Sequence, residues 1–250
     1  MAYGRRVVQC DLTFSVRRGS IFAVMGGSGC GKSTVLRALI GLLQPSSGRV
    51  LVDGEDLWAA DAKRRGTLLR RFGVLFQSGA LWSSLTVGEN IALPLQMLTE
   101  LDKSAIAALV RLKLALVGMS SAEMKMPAAL SGGMRKRAGL ARALALDPDI
   151  LFFDEPSAGL DPITSGRLDE LILDLRDGLG ATVIIVSHEL ASLFSICDDG
   201  VFLDAESKTA IAHGAPRTLR DSCSHPTVQA FMRRRAPDAI ASREDVHVLR

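Results

Sequence analysis

Gly26-Gly27-Ser28-Gly29-Cys30-Gly31-Lys32-Ser33 is the stretch that decides the fold. It fits the pattern G-x-x-x-x-G-K-[ST]. An apolar run, Ile21 to Met25, precedes it and reads as a buried strand. After it, Val35, Leu36, Leu39, Ile40 and Leu43 recur at helical spacing, which predicts a helix from Lys32 to Leu43. Gln44-Pro45 is the expected stop, because the residue before proline is pushed out of helical geometry. Strand, glycine turn and helix in succession make an α/β unit. The glycines let the backbone bend until several N–H groups converge on one anion, and the helix aims its positive end at the same point. Lys32 supplies a point charge for outer phosphates, and the Ser33 hydroxyl suits Mg²⁺.

Further along, Ile150-Leu151-Phe152-Phe153-Asp154-Glu155 reads as a central strand whose carboxyl end presents two adjacent acids, where ligands of α/β sheets gather. Asp154 is placed to hold Mg²⁺ and Glu155 to polarise an attacking water. Leu130-Ser131-Gly132-Gly133-Met134 opens a helix over Met134–Leu146, and its glycines expose backbone N–H groups to an anion. Arg135, Lys136 and Arg137 then oppose the helix dipole, which makes more sense if an anion docks there. Arg49–Val52, Gly73–Phe76 and Ala181–Val186 read as further strands. The pattern turns helical from about Thr86 to Leu130. Asp161-Pro162 reads as a cap and first residue of a helix running towards Gly178. From Arg233 the chain reads as a polar, mobile tail. There is no internal repeat.

Composition fits a globular protein. Of 250 residues, 48% are hydrophobic and 23% charged, and 30 Lys and Arg against 27 Asp and Glu leave a net charge of +3. So small a charge, with aromatics at 5%, gives no case for nucleic acid as the main partner. Cys10, Cys30, Cys197 and Cys223 form no C-x-x-C pair, which removes the metal-knuckle and thioredoxin readings and fits a reducing compartment. The first residues lack the apolar core of a secretory signal. No stretch approaches the roughly 18 apolar residues of a spanning helix, so a membrane role is expected to come through a partner.

Six features in order resemble the nucleotide-binding subunit of an ABC transporter, over nearly the whole chain to about residue 232. They are the Walker A loop Gly26–Ser33, the Q-loop Gln77 after Val74-Leu75-Phe76, and the signature Leu130–Met134. Asp154 and Glu155 of Walker B, the D-loop Ser157-Ala158-Gly159-Leu160-Asp161, and His188 after Val183-Ile184-Ile185-Val186-Ser187 complete the set. The resemblance implies an α/β P-loop NTPase fold: a RecA-like core sheet, a β-subdomain, and an inserted helical signature subdomain at about residues 86–146. It implies one ATP-binding domain over residues 1–232, with residues 233–250 as the tail. It also implies a head-to-tail pair. ATP would lie between Gly26, Gly27, Ser28, Gly29, Cys30, Gly31, Lys32, Ser33 and Thr34 of one copy and Ser131, Gly132, Gly133 and Met134 of the other, near Asp161. By the same resemblance Lys32, Glu155 and His188 are catalytic, and Ser33, Gln77 and Asp154 serve Mg²⁺. Tyr3 has the family's spacing to Lys32 for stacking on adenine, worth on the order of 1 kcal/mol. The family carries a further strand before that aromatic, so the chain start is expected to be misassigned or truncated. Met134 stands where most members have Gln; the Gly132 and Gly133 amides remain, so hydrolysis is expected to persist.

The run Leu75–Val87, continuing through Glu89-Asn90 to Leu93-Pro94-Leu95, and the signature followed by Arg135–Ala143 resemble ATPases of MCE-associated, Mla-type lipid transporters, Met134 included. That resemblance implies phospholipid traffic between inner and outer membranes. It implies an integral-membrane permease, an MCE-domain protein and sometimes a small STAS-domain subunit, with this chain peripheral at the cytoplasmic face of the inner membrane. The permease contact is expected over residues 77–98, with Leu81 and Trp82 either under a coupling helix or in the core of the helical insert. A transporter for another solute, a non-transport ABC ATPase and a P-loop kinase are the competing readings; the last leaves Leu130–Met134 unexplained. Cys30, beside Lys32 at a helix start, is expected to have a lowered pKa, so that alkylation blocks hydrolysis and ATP protects.

Overall fold

A computed structural model of the chain describes residues 1–4 and 6–234, the side chain of Tyr3 excepted. The stacking expected of the Tyr3 ring, and the tail from residue 235 onward, lie outside the described residues.

The chain opens on a hairpin, β1 (Ala2–Tyr3) against β2 (Arg6–Val7), and then enters β3 (Ile21–Gly26). Every residue of β3 is buried, as a parallel strand covered on both faces requires. α1 (Lys32–Leu39) follows and ends ahead of the expected proline stop. Gly41, at φ 76°, turns the chain out of the helix, and the Leu42 N–H closes back on the Arg37 carbonyl at 2.8 Å. A glycine stop therefore acts before Pro45 can.

A second antiparallel pair, β4 (Leu51–Val52) and β5 (Glu55–Asp56), precedes α2 (Ala62–Leu69) and β6 (Phe72–Leu75). Between β6 and β7 (Ile150–Asp154) the chain is helical: α3 (Val87–Leu98), α4 (Lys103–Leu116) and α5 (Gly132–Ala143). Thr86 starts α3 with a full capping box, its hydroxyl on the Glu89 N–H and the Glu89 carboxylate on its own N–H, an arrangement worth about 1 kcal/mol. The remainder is α6 (Pro162–Leu179), β8 (Thr182–Val186), α7 (Leu190–Ile196), β9 (Asp199–Leu203), β10 (Ala210–His213), α8 (Pro216–Ser222) and α9 (Pro226–Met232).

One six-stranded sheet runs β10-β9-β3-β8-β7-β6, parallel except for β10. Alternating side chains divide the core between its faces. Phe22, Val24, Phe152, Ile184 and Val186 pack with Val35 and Leu36 of α1. Ile21, Leu151, Phe153, Val183 and Ile185 pack with Leu140 of α5 and Leu168, Ile172 and Leu175 of α6. Register decides where chemistry collects. Val24 of β3 and Asp154 of β7 both lie opposite Val186 of β8. The glycine turn after β3, the acids ending β7 and Ser187-His188 after β8 thus share one end of the sheet. Among the described residues no helix is long and apolar enough to cross a membrane.

Candidate functional site

The glycine turn is built into the sheet end. Gly26 is buried at φ 143°, and a β-carbon there would lie 2.3 Å from the Leu203 carbonyl oxygen and 2.6 Å from Cys30 Sγ; no other residue fits without moving β9. Buried Gln9 braces the turn from outside, its Nε2 donating to the carbonyls of Cys30 (2.6 Å) and Asp204 (3.0 Å). Lys32 curls over the loop and donates to the carbonyls of Gly26 (2.8 Å) and Gly27 (2.9 Å). A cavity of about 480 Å³ opens beside it, lined by Gly29, Gly31, Lys32, Ser33 and Thr34, with Arg6 and Val8 from the N-terminal segment. Gly27, Ser28, Gly29 and Ser33 are exposed, while the Thr34 side chain is buried. The α1 amides and the Lys32 charge fit a polyphosphate.

Cys30 corrects the expectation made for it. Its side chain is only 1% exposed. Burial raises its pKa above the ordinary thiol value, and the nearby Lys32 charge offsets this only in part. Apolar packing outweighs the helix start, so the thiol is a core group rather than an activated one.

Asp154 and Glu155 end β7. Burial and the neighbouring Glu155 charge push the Asp154 carboxyl up, against the pull of Arg37 and Lys32. Glu155 is a non-glycine residue at φ 50°. Its N–H donates to the Val186 carbonyl at 2.8 Å. The buried carboxylate has Oε1 2.7 Å from His188 Nδ1, and Oε2 accepts from the Ser187 hydroxyl (3.3 Å) and the His188 N–H (3.4 Å). A carboxylate offers about four lone-pair sites, which leaves room for a water. His188 is otherwise exposed. Among the described residues no three His, Cys, Asp or Glu side chains are grouped to hold a metal ion. The oxygen donors of Ser33 and Asp154 are of the type Mg²⁺ prefers; these two residues would hold the ion, and a nucleotide's phosphates and water would supply its other ligands. Gln77 is exposed just beyond β6.

Ser131–Met134 lies apart. The Ser131 hydroxyl caps α5 on the Met134 N–H at 3.3 Å. Gly132 is exposed, and a β-carbon there would meet nothing within 4 Å. A β-carbon at Gly133 would lie 2.8 Å from Thr164 Cγ2, so this turn packs towards α6 and not towards the glycine turn after β3. Met134 is half-buried against the core. The basic residues that follow do not face an anion as a group. Arg135 donates to the Leu130 carbonyl at 2.6 Å, and Lys136 is buried. Asp161 caps α6: Oδ1 accepts from the N–H groups of Ile163 and Thr164, and Oδ2 from the Thr164 hydroxyl. Those donors, the Thr164 hydroxyl first, hold its carboxyl below the usual range. Of the pair left open by sequence, Leu81 packs on the core and Trp82 is 61% exposed.

The roles of three residues escaped sequence reasoning. Gln9 looks like any polar residue in a loop, and Lys136, expected with its neighbours to face an anion, is instead buried on two backbone carbonyls. Buried Asn90 ties the turn before α3, its side chain bonding Trp82, Leu85 and Thr86 of the backbone; the preceding Thr86/Glu89 cap was the one available signal of an ordered turn.

The family model described as ABC transporter matches residues 10–158. The intermembrane phospholipid transport system ATP-binding protein MlaF of Escherichia coli K12 is 42% identical over 229 residues, 92% of this chain and 84% of its own. The probable ribonucleotide transport ATP-binding protein mkl of Mycobacterium tuberculosis is 39% identical over 246 residues, 98% of this chain and 68% of its own. Among solved structures, the ATP-binding cassette MJ0796, a dimer in a post-hydrolysis state bound to ADP and Pi, superposes with a TM-score of 0.75 at 26% identity, covering 82% of this chain and 89% of that one. With a glycine turn, two acids and a histidine gathered at one sheet end, and the family match running through the turn and both acids, the chain belongs to the ABC transporter family as one of its ATP-hydrolysing cassettes.

Proposed function

We propose that two copies of this chain close head to tail on ATP and Mg²⁺, and that hydrolysis drives an integral-membrane permease moving phospholipid between membranes. The observation that carries the paired site is the turn at Ser131 and Gly132: both residues are exposed at the start of α5, and a β-carbon at Gly132 would meet nothing within 4 Å, so the helix N-terminus is open to an anion from outside. The dimeric MJ0796 cassette supports the same reading.

In that arrangement the Gly26–Thr34 amides and Lys32 hold the outer phosphates, and Ser131, Gly132 and Gly133 of the second copy, near Met134 and Asp161, close the other side and exclude bulk water. Bound Mg²⁺, beside Ser33, Asp154 and Gln77, would neutralise phosphate charge. Glu155 accepts a proton from the attacking water, and His188, 2.7 Å from its carboxylate, fixes its direction. Residues 1–232 form the ATP-binding domain, with residues 86–146 as its helical signature part. The chain works at the cytoplasmic face of the inner membrane. Its permease contact falls within residues 77–98, where a groove of about 590 Å³ is lined by Leu93, Pro94, Met97 and Leu98 from α3 and by Leu69 and Phe72.

The phospholipid cargo rests on likeness to MlaF; an MCE-domain protein and a small STAS-domain subunit as further partners rest on the family resemblance of residues 75–95 and 130–143. The name of mkl supports a second cargo, ribonucleotide. Reconstitution with the co-expressed permease separates them. ATP-dependent movement of labelled phospholipid, with lipid found in the purified complex by mass spectrometry, is the expected result. Movement of ribonucleotide without lipid overturns the cargo assignment.

A further inference from the structure

Lys136 sits on the second turn of α5 yet is only 5% exposed. Its Nζ donates to two backbone carbonyls of a different segment, Glu155 at 3.2 Å and Ala158 at 2.6 Å. Removing an ammonium from water is costly unless acceptors replace the lost hydration, so the two carbonyls are what keep it there. Burial lowers the pKa of this ammonium, with the Glu155 charge acting the other way. What it grips matters. Glu155 holds a left-handed backbone, a state that persists only where its surroundings fix it. Its N–H is fixed to β8 and its carbonyl to Lys136. Ala158 leads directly into Gly159-Leu160-Asp161. At the other end of α5, Arg142 donates to the carbonyls of Gly79 (3.0 Å) and Ala80 (2.7 Å), just beyond Gln77. One rigid helix thus begins at Ser131–Gly133 and holds the backbone behind the acid and the glutamine.

We propose that Lys136 is a positioning residue that couples the two nucleotide sites: ATP seated on Ser131–Gly133 of one copy sets, through Lys136, the Glu155 carboxylate that serves that copy's own ATP. This rests on the paired-site reading above. In a head-to-tail pair the signature turn and Glu155 of one chain act on different nucleotides, and Lys136 is a direct hydrogen-bonded link between the two segments.

The test is steady-state hydrolysis by the full transporter complex carrying Lys136→Met, which keeps a flexible stem and removes the donors, or Lys136→Gln if the first variant does not fold. The expected result is a roughly ten- to hundredfold lower kcat from a displaced base, KM for ATP within about twofold, and a Hill coefficient that falls from above 1 in the parent to about 1. Lys136→Arg, which keeps charged donors, is expected to restore part of the kcat and the cooperativity. A parent-like kcat and Hill coefficient in Lys136→Met overturns the proposal, as does a parent with no cooperativity. Equal losses in nucleotide binding, thermal midpoint and kcat, with the Hill coefficient held, assign Lys136 a purely structural role and also overturn it. Glu155→Gln with Lys136 intact separates the two failures: if ATP does not pair its copies, the paired-site reading fails first.

Discussion

Two glycine turns open helices in this chain, and they owe their glycines to different neighbours. At Gly26 the reason lies inside the molecule: φ is 143°, and the Leu203 carbonyl and Cys30 sulfur occupy the place of a side chain. At Gly132 it does not. The residue is exposed, faces open space and has no left-handed backbone to accommodate. A glycine that its own fold does not demand is explained by something that must approach its amide from outside. Gly26 therefore belongs to the stability of the chain as well as to its chemistry, and Gly132 to chemistry alone.

Substitutions separate the two. Gly132→Val is expected to lower ATP hydrolysis about 10²- to 10³-fold, the usual loss when an anion-stabilising donor is blocked, with unfolding free energy changed by less than about 1 kcal/mol. Phosphate release and urea denaturation of the same preparation check both; an active Gly132→Val removes the contrast. Gly26→Ala is expected to behave in the opposite order. It destabilises by about 3 kcal/mol or more, through strain and the clash with β9, and activity falls because the fold does; a variant of unchanged urea midpoint contradicts this. Ser131→Ala removes the α5 cap and is expected to cost about 1 kcal/mol, read as a shifted midpoint.

Cys30 gives the smallest and simplest test. Its raised pKa leaves little thiolate at neutral pH, because a thiol ionises only as pH rises through its pKa. Iodoacetamide at pH 7 is expected to label exposed Cys10 first, and Cys30 to react only as the solution is made alkaline or the chain unfolds; peptide mapping reads the order. Rapid labelling of Cys30 at pH 7 means that the turn opens more freely than its packing implies.

The α/β core was legible because local chemistry and global packing agree there. The apolar runs at Ile21, Ile150 and Thr182 need burial on both faces, and only central strands provide it. Asp161 caps the helix it was expected to cap, and the Ser131 turn opens the helix it was expected to open, for reasons carried by a few neighbouring residues. Contacts distant in sequence were not legible. Gln9 reaches the carbonyls of Cys30 and Asp204, and Lys136 those of Glu155 and Ala158; a polar side chain aimed at backbone leaves no pattern in sequence. Cys30 misled for the related reason that its helix-terminal position was visible and its burial was not. Pro45 misled because Gly41 ended the helix first.

Sedimentation of the Glu155→Gln chain with and without ATP bears most directly on the paired site. Removing the base slows turnover by about 10²- to 10⁴-fold and leaves both glycine turns intact, so ATP is expected to double the sedimenting mass and remain bound between the copies. A Glu155→Gln chain that binds ATP tightly yet stays monomeric, while the parent hydrolyses ATP at the same concentration, contradicts the paired site and returns Gly132 to an unexplained glycine.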